Sequence, residues 1–182
     1  MNSFQKAVFS SIATSANVSH DNKKIKLLIV DDDEKFLKTI SERLGLKDFD
    51  VTATTDGEKA IKTAKKGKFD VAILDLKMPG MDGTELLKVL KKKHKYLEVI
   101  MLTGFGSIDS AVECTKLGAF GYVEKPYSFE KLLEMLKEAY ETRLRKKFEH
   151  DKKRMDEIEI LSMGSSPMGI LRSLIRVDDD EK

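Results

Sequence analysis

The chain has 182 residues, 41% of them hydrophobic and 35% charged, with a formal net charge of +2. That composition supports one globular domain of ordinary size with chain to spare, and +2 is too small a charge to argue for nucleic acid. No apolar run approaches the ~20 residues of a membrane span, and a single cysteine, Cys114, excludes an internal disulfide and fits a reducing cytoplasm.

In chain order, residues 1–23 hold a weak apolar patch broken by serines, so a flexible N-terminal extension is expected there rather than a cleaved signal peptide. Ile25 to Val30 reads as a short strand. Glu34 to Leu44 follows with helical apolar spacing (Phe36, Leu37, Ile40, Leu44) closed by Gly45. Asp50 to Thr54 alternates as a strand, after which Thr55 and Glu58 offer a capping box for a helix running to Gly67.

The stretch VAILDLKMPGMDG, Val71 to Gly83, supplies a third strand that ends on Asp75. Asp82 and Glu85 can cap a helix reaching Lys93. Leu97 to Leu102 is a fourth strand, Ser107 to Leu117 a helix and Ala119 to Val123 a fifth strand; a last helical stretch starts near Ser128. Strands each followed by a helix predict an α/β fold: a five-stranded parallel sheet, doubly wound, with helices on both faces.

In such folds ligands bind at the carboxyl ends of the strands. The residues there are Asp31, Asp32 and Asp33 after the first strand, Asp75 after the third, Thr103 after the fourth and Lys125 after the fifth. Carboxylates converging in one crevice repel each other unless a cation joins them. Mg²⁺ fits, because it takes oxygen ligands, keeps waters and is often completed by phosphate oxygens. Thr103 and Lys125 suit the charge on phosphoryl oxygens during an in-line transfer, which leaves Asp75 as the nucleophile of an aspartyl phosphate.

From Ile25 to about Tyr140 the chain resembles a response-regulator receiver domain of two-component signalling. The resemblance rests on the acidic cluster after the first strand, D-L-K-M-P-G-M-D-G, M-L-T-G-F-G-S and G-Y-V-E-K-P-Y, in family order and spacing. It implies a flavodoxin-like (βα)5 fold. It implies that Asp75 accepts phosphate from a histidine kinase or phosphotransfer protein, and that Asp31, Asp32, Asp75 and the Lys77 carbonyl hold Mg²⁺. It further implies that Lys125 pairs with the phosphoryl group, that Thr103 and Tyr122 form the switch pair, and that the Lys125-Pro126 bond is cis. Such a domain is no enzyme beyond its own phosphorylation and dephosphorylation.

Several residues carry plainer readings. Asp33 suits the N-cap of the first helix, Cys114 suits packing, and Lys91-Lys92-Lys93-His94-Lys95 suits a solvated helix end complementing the helix dipole. His20, His94 and His150 lack ligand spacing, so no zinc site is expected. The D-x-D of Asp31 to Asp33 also resembles haloacid-dehalogenase-like phosphatases. Glu34 and Lys35 follow it, however, where that family has an apolar residue and then Thr or Val.

Beyond the receiver, assigned to residues 24–142, a mostly charged stretch at 143–162 is expected to continue the last helix as a linker. Leu132, Leu136, Tyr140, Leu144 and Phe148 stand four apart along it, a stripe longer than one domain can bury, which favours a parallel homodimer. Residues 163–182 resemble the opening of the AAA+ domain in NtrC-like activators of the sigma-54 polymerase, without its phosphate loop or a helix-turn-helix. The sequence therefore predicts a cytoplasmic regulatory chain with no DNA-binding or membrane segment of its own. Its output is either transcriptional control or, as a stand-alone receiver, phosphorelay.

Overall fold

The computed structural model describes residues 24–104 and 107–164; the expectations for residues 1–23 and for the segment after Gly164 lie outside them. Five strands, β1 (Ile25–Val30), β2 (Phe49–Thr54), β3 (Val71–Leu74), β4 (Glu98–Thr103) and β5 (Gly121–Glu124), form one parallel sheet in the order β2-β1-β3-β4-β5. The helices between and after them are α1 (Glu34–Gly45), α2 (Gly57–Lys66), α3 (Gly83–Lys93), α4 (Ile108–Lys116) and α5 (Phe129–Gly164).

Alternation along the strands builds two cores. Leu28, Val30, Ala72, Leu74, Val99 and Met101 face α2, α3 and α4, meeting Ala60, Leu86, Leu90 and Cys114. Their neighbours Leu27, Ile29, Ile73, Ile100 and Leu102 face α1 and α5, meeting Leu37, Ile40, Leu132 and Leu136. The doubly wound expectation is met: burial on both faces calls for strands with apolar interiors, as in β3 and in Val99–Leu102 of β4.

Local signals set the helix starts. The Asp33 carboxylate accepts from the Lys35 and Phe36 amides and caps α1, as expected. Ser107 and Ser110 form a reciprocal capping box on α4. At α2 the cap is Asp56, not the Thr55–Glu58 box: Asp56 accepts from the Glu58 and Lys59 amides, one residue further along the chain. Both residue types can cap, and the β2 register ending at Thr54 decides between them.

The Lys125-Pro126 bond is cis. Helix α5 runs unbroken for 36 residues, far longer at ~1.5 Å per residue than the roughly 20 Å of a six-residue strand against which it can lie. Along its row Leu132, Leu136, Tyr140, Leu144 and Phe148, each four-residue step turns about 40° around the axis. Leu132 and Leu136 are accordingly buried and Tyr140 half-buried, while Leu144 and Phe148 stand exposed. Among the described residues no helix is long and apolar enough to cross a membrane.

Candidate functional site

The strand order reverses between β1 and β3, and the crevice at their carboxyl ends is the ligand position of this topology. Asp31 follows β1 and Asp75 follows β3, held side by side by the parallel register Val30↔Leu74 and by the bond from the Asp75 amide to the Val30 carbonyl (2.8 Å). Thr103 closes β4. Lys125 follows β5, and its amide donates to the Thr103 carbonyl at 2.8 Å. Four residues spread over nearly a hundred positions thus meet because four parallel strands end at one level.

Both carboxylates are out of water, with Asp31 and Asp75 exposing 2% and 5% of their surface. Burying charge is costly unless it is partnered, and the partner is Lys125. Its Nζ donates to Asp31 Oδ2 at 2.5 Å and lies 3.8 Å from Asp75 Oδ1, over the Phe36 ring. Asp31 Oδ1 also accepts from the Asp33 amide, and Asp75 Oδ2 from the Lys77 amide, each at 3.0 Å. The Thr103 hydroxyl is fully buried at the end of β4 and favours the charged form of the Asp75 carboxyl.

One ammonium against two buried carboxylates leaves a negative surplus. Burial pushes the Asp75 carboxyl above its usual value and Asp31 adds to the push; Lys125, the Lys77 amide and Thr103 oppose it incompletely. The pocket is therefore short of positive charge, the condition under which a divalent cation binds.

Asp32 is placed differently, exposed at the rim. Among the described residues no three His, Cys, Asp or Glu side chains are gathered into a metal-binding group. Asp31 and Asp75 are the buried carboxylate pair, and with Mg²⁺ retaining several waters two protein carboxylates suffice. The donor set fits the cation.

The loop after Asp75 is tied down from behind. The Gly83 amide donates to the Leu76 carbonyl at 2.9 Å, and a Cβ on Gly83 would come within 2.1 Å of the Asp75 carbonyl oxygen, so only glycine fits. Gly80, at φ +88°, makes the turn. Asp82 caps α3 through the Thr84 amide and hydroxyl and faces the Lys77 ammonium at 3.5 Å.

Tyr122 lies on β5, half-buried against the α2–α4 core, and its hydroxyl pairs with Ser110 Oγ on α4 at 3.1 Å. The Tyr122–Ser110 contact ties α4 to the sheet. Ser110 has no sequence signature of this role; the S-x-x-S spacing of Ser107 and Ser110 marks only the cap. Cys114 is buried, with its thiol pushed up by burial, as packing predicts. Phe105 and Gly106 of the T-G-F-G-S motif lie outside the described residues.

A flavodoxin-like parallel sheet with two buried aspartates, a hydroxyl and a lysine at its carboxyl edge defines a phosphoryl-accepting class of signalling domain. Residues 27–137 match the family of the response regulator receiver domain, and the chain belongs to that family. It is 33% identical over 111 residues to the response regulator protein FleR of Pseudomonas aeruginosa, covering 61% of this chain and 24% of that one. To an NtrX-like response regulator of Rickettsia bellii it is 36% identical over 119 residues, covering 64% and 25%. Among solved structures, the beryllofluoride-activated NtrC4 receiver domain dimer superposes with a TM-score of 0.62 at 34% identity, covering 65% of this chain and 98% of that one. The receiver is thus of the NtrC-like kind, and the chain spans about a quarter of the length of the curated relatives it matches.

Proposed function

We propose that this receiver is a phosphorylation-dependent switch in which Asp75 is the phosphoacceptor, serving a cytoplasmic two-component pathway. The observation that carries the reading is the buried Asp31–Asp75 pair compensated by the single ammonium of Lys125. A carboxylate Oδ of Asp75 attacks phosphorus as the bond to the donor's imidazole nitrogen, or to acetyl phosphate's leaving oxygen, breaks. The leaving group departs with the bonding electron pair. Asp31, Asp32, Asp75 and the Lys77 main-chain carbonyl would hold Mg²⁺, Asp32 from the exposed rim; bound there, the cation supplies positive charge for the transferring oxygens. Lys125 then exchanges its Asp75 contact for a phosphoryl oxygen. Thr103, buried at the end of β4 beside the acceptor, follows the new charge.

The switch is read through Tyr122. Drawing Thr103 toward the phosphoryl group vacates space beside β4, and the reading has Tyr122 leave Ser110 and turn inward, freeing α4. Thr103→Ala should accept phosphate at near wild-type extent, since the hydroxyl is neither nucleophile nor metal ligand, but lose most of the phosphate-induced shift of the Tyr122 ring resonances in NMR. A full Tyr122 shift in that variant would separate the two residues.

The kinase or phosphotransfer donor and the output, transcription in the manner of the FleR and NtrX-like relatives or relay as a stand-alone receiver, belong to this proposal. So does pairing of two chains. The NtrC4 receiver likeness is to a dimer, and covering Leu144 or Phe148 would contribute roughly 1.5–3 kcal/mol each. The phosphatase alternative would need the Asp31 and Asp33 carboxylates of its D-x-D free for chemistry. Asp31 is engaged with Lys125 and the Asp33 amide, and Asp33 is spent as the α1 cap.

A further inference from the structure

The pole of the sheet opposite the phosphoacceptor carries a second set of buried charges. Glu98, the first residue of β4, exposes 1% of its surface, and Asp70 precedes β3. Lys146 Nζ of α5 donates to Glu98 Oε1 at 2.5 Å, and Lys91 Nζ at the end of α3 lies 3.6 Å from Oε2 while donating to the Leu97 carbonyl. Arg143 Nη2 pairs with Asp70 Oδ1 at 2.9 Å; Asp70 Oδ2 accepts from the Lys26 amide at 2.9 Å. One turn on, the His150 ring meets Tyr96 edge-on at 5.7 Å. Arg143, Lys146 and His150 are spaced i, i+3, i+7 and so share one face of α5.

Leu144, Phe148 and Met155, the exposed apolar residues of this helix, lie about 150° around the axis from that face. Exposed Glu141, Arg145 and Lys152 flank them on one side and Lys147 and Asp151 on the other, so each flank carries both signs and two such surfaces can meet without net repulsion. Because Asp70 and Glu98 begin the segments that end in Asp75 and Thr103, the helix is fastened to the two strands that carry the phosphoacceptor and Thr103.

We propose that Asp70, Lys91 and Glu98 form a clasp that grips Arg143 and Lys146, fixes the direction in which α5 leaves the receiver, and so presents Leu144, Phe148 and Met155 to the same stripe of a second copy of this chain. Residues 143–150 then move with the sheet as one body and are not a free tether. The inference rests on the paired state proposed above for the occupant of the stripe, and the test separates the two.

Hydrogen exchange of the full chain reads the clasp, with a Phe148→Lys background to remove pairing. In that background the amides of 143–150 should exchange at least ~10-fold more slowly than those of 151–158, and Glu98→Met or Lys146→Met should erase the difference while β1 and β3 stay protected. Lys147→Met, on the exposed side, should change nothing. Equal exchange of the two segments, or protection that survives Glu98→Met, would overturn the clasp. Sedimentation velocity of the chain with Phe148 intact should give a dimer that Phe148→Lys dissociates and Glu98→Met weakens. A monomer throughout would overturn the assignment of the occupant, and the paired reading with it, whatever the exchange result.

Discussion

Asp75→Asn should take up no phosphoryl group from acetyl phosphate and Mg²⁺, and at pH 7 it should unfold at a higher temperature than the wild type. The first effect is the loss of the nucleophile. The second follows from the burial of Asp75 beside Asp31, which raises its carboxyl pKa in the folded protein. A group with a raised folded value binds its proton more tightly folded than unfolded. Its favourable contribution is complete below the ordinary carboxylate value and is lost as pH rises through the folded one. At neutral pH the charge is therefore a cost, which asparagine removes. The advantage of the variant should shrink as pH falls toward the ordinary carboxylate range. Mg²⁺ should raise the wild-type midpoint more than that of the variant, because binding to the folded state alone stabilises it. An asparagine variant less stable than wild type by the same margin at every pH would show that Asp75 is not held against its charge.

Lys125→Gln should be among the most damaging single changes at this edge of the sheet. Removing one partner of a buried ion pair costs roughly 3–5 kcal/mol, because the other charge is left uncompensated. Lys125 serves two such carboxylates but is itself a quarter exposed, so about 3 kcal/mol, the lower end, is expected. The Phe36 contact adds about 0.5–1 kcal/mol. With the ammonium gone, Asp75 holds its proton more strongly, so the deficit in urea unfolding should be largest above neutrality and should narrow as the pH is lowered. Millimolar Mg²⁺ should recover part of it. A variant as stable as wild type at pH 8 without Mg²⁺ would mean that the two carboxylates have another compensating charge.

Much of this site was legible before the fold was in view, and the reason is local. Strand β3 reads as VAIL followed at once by Asp75, and β1 as an apolar run followed by Asp31, because a parallel strand covered on both faces must be apolar to its end and its first polar residue marks the ligand-binding edge. Thr103 was legible for the same reason, whereas Lys125, one residue past the exposed Glu124, was placed by its position after the fifth strand. Asp32 was assigned beside Asp31 through the family resemblance; neighbouring side chains leaving a strand turn in different directions, and the structure places Asp32 exposed at the rim while Asp31 is buried.

What sequence reasoning missed lies in pairings between distant segments. Lys91 sits in a run of lysines that reads as a solvated helix end, yet its own ammonium folds onto the Leu97 carbonyl and Glu98 and is largely buried. Glu98 and Lys146 are 48 residues apart; nothing in either neighbourhood announces the other, and a glutamate opening a strand passes for a solvent-facing rim residue. Ser110 was likewise hidden, its value to Tyr122 arising only when α4 packs beside β5.

The central claim, that Asp75 is where this chain takes up phosphate, is tested most directly by reductive trapping. The full chain is treated with acetyl phosphate and Mg²⁺ and then with borohydride, which converts an aspartyl phosphate to homoserine, and its peptides are mapped by mass spectrometry. The account predicts homoserine at position 75, absent when the divalent cation is chelated. Homoserine at position 31 or 32, or modification at 75 that persists without the metal, would contradict it.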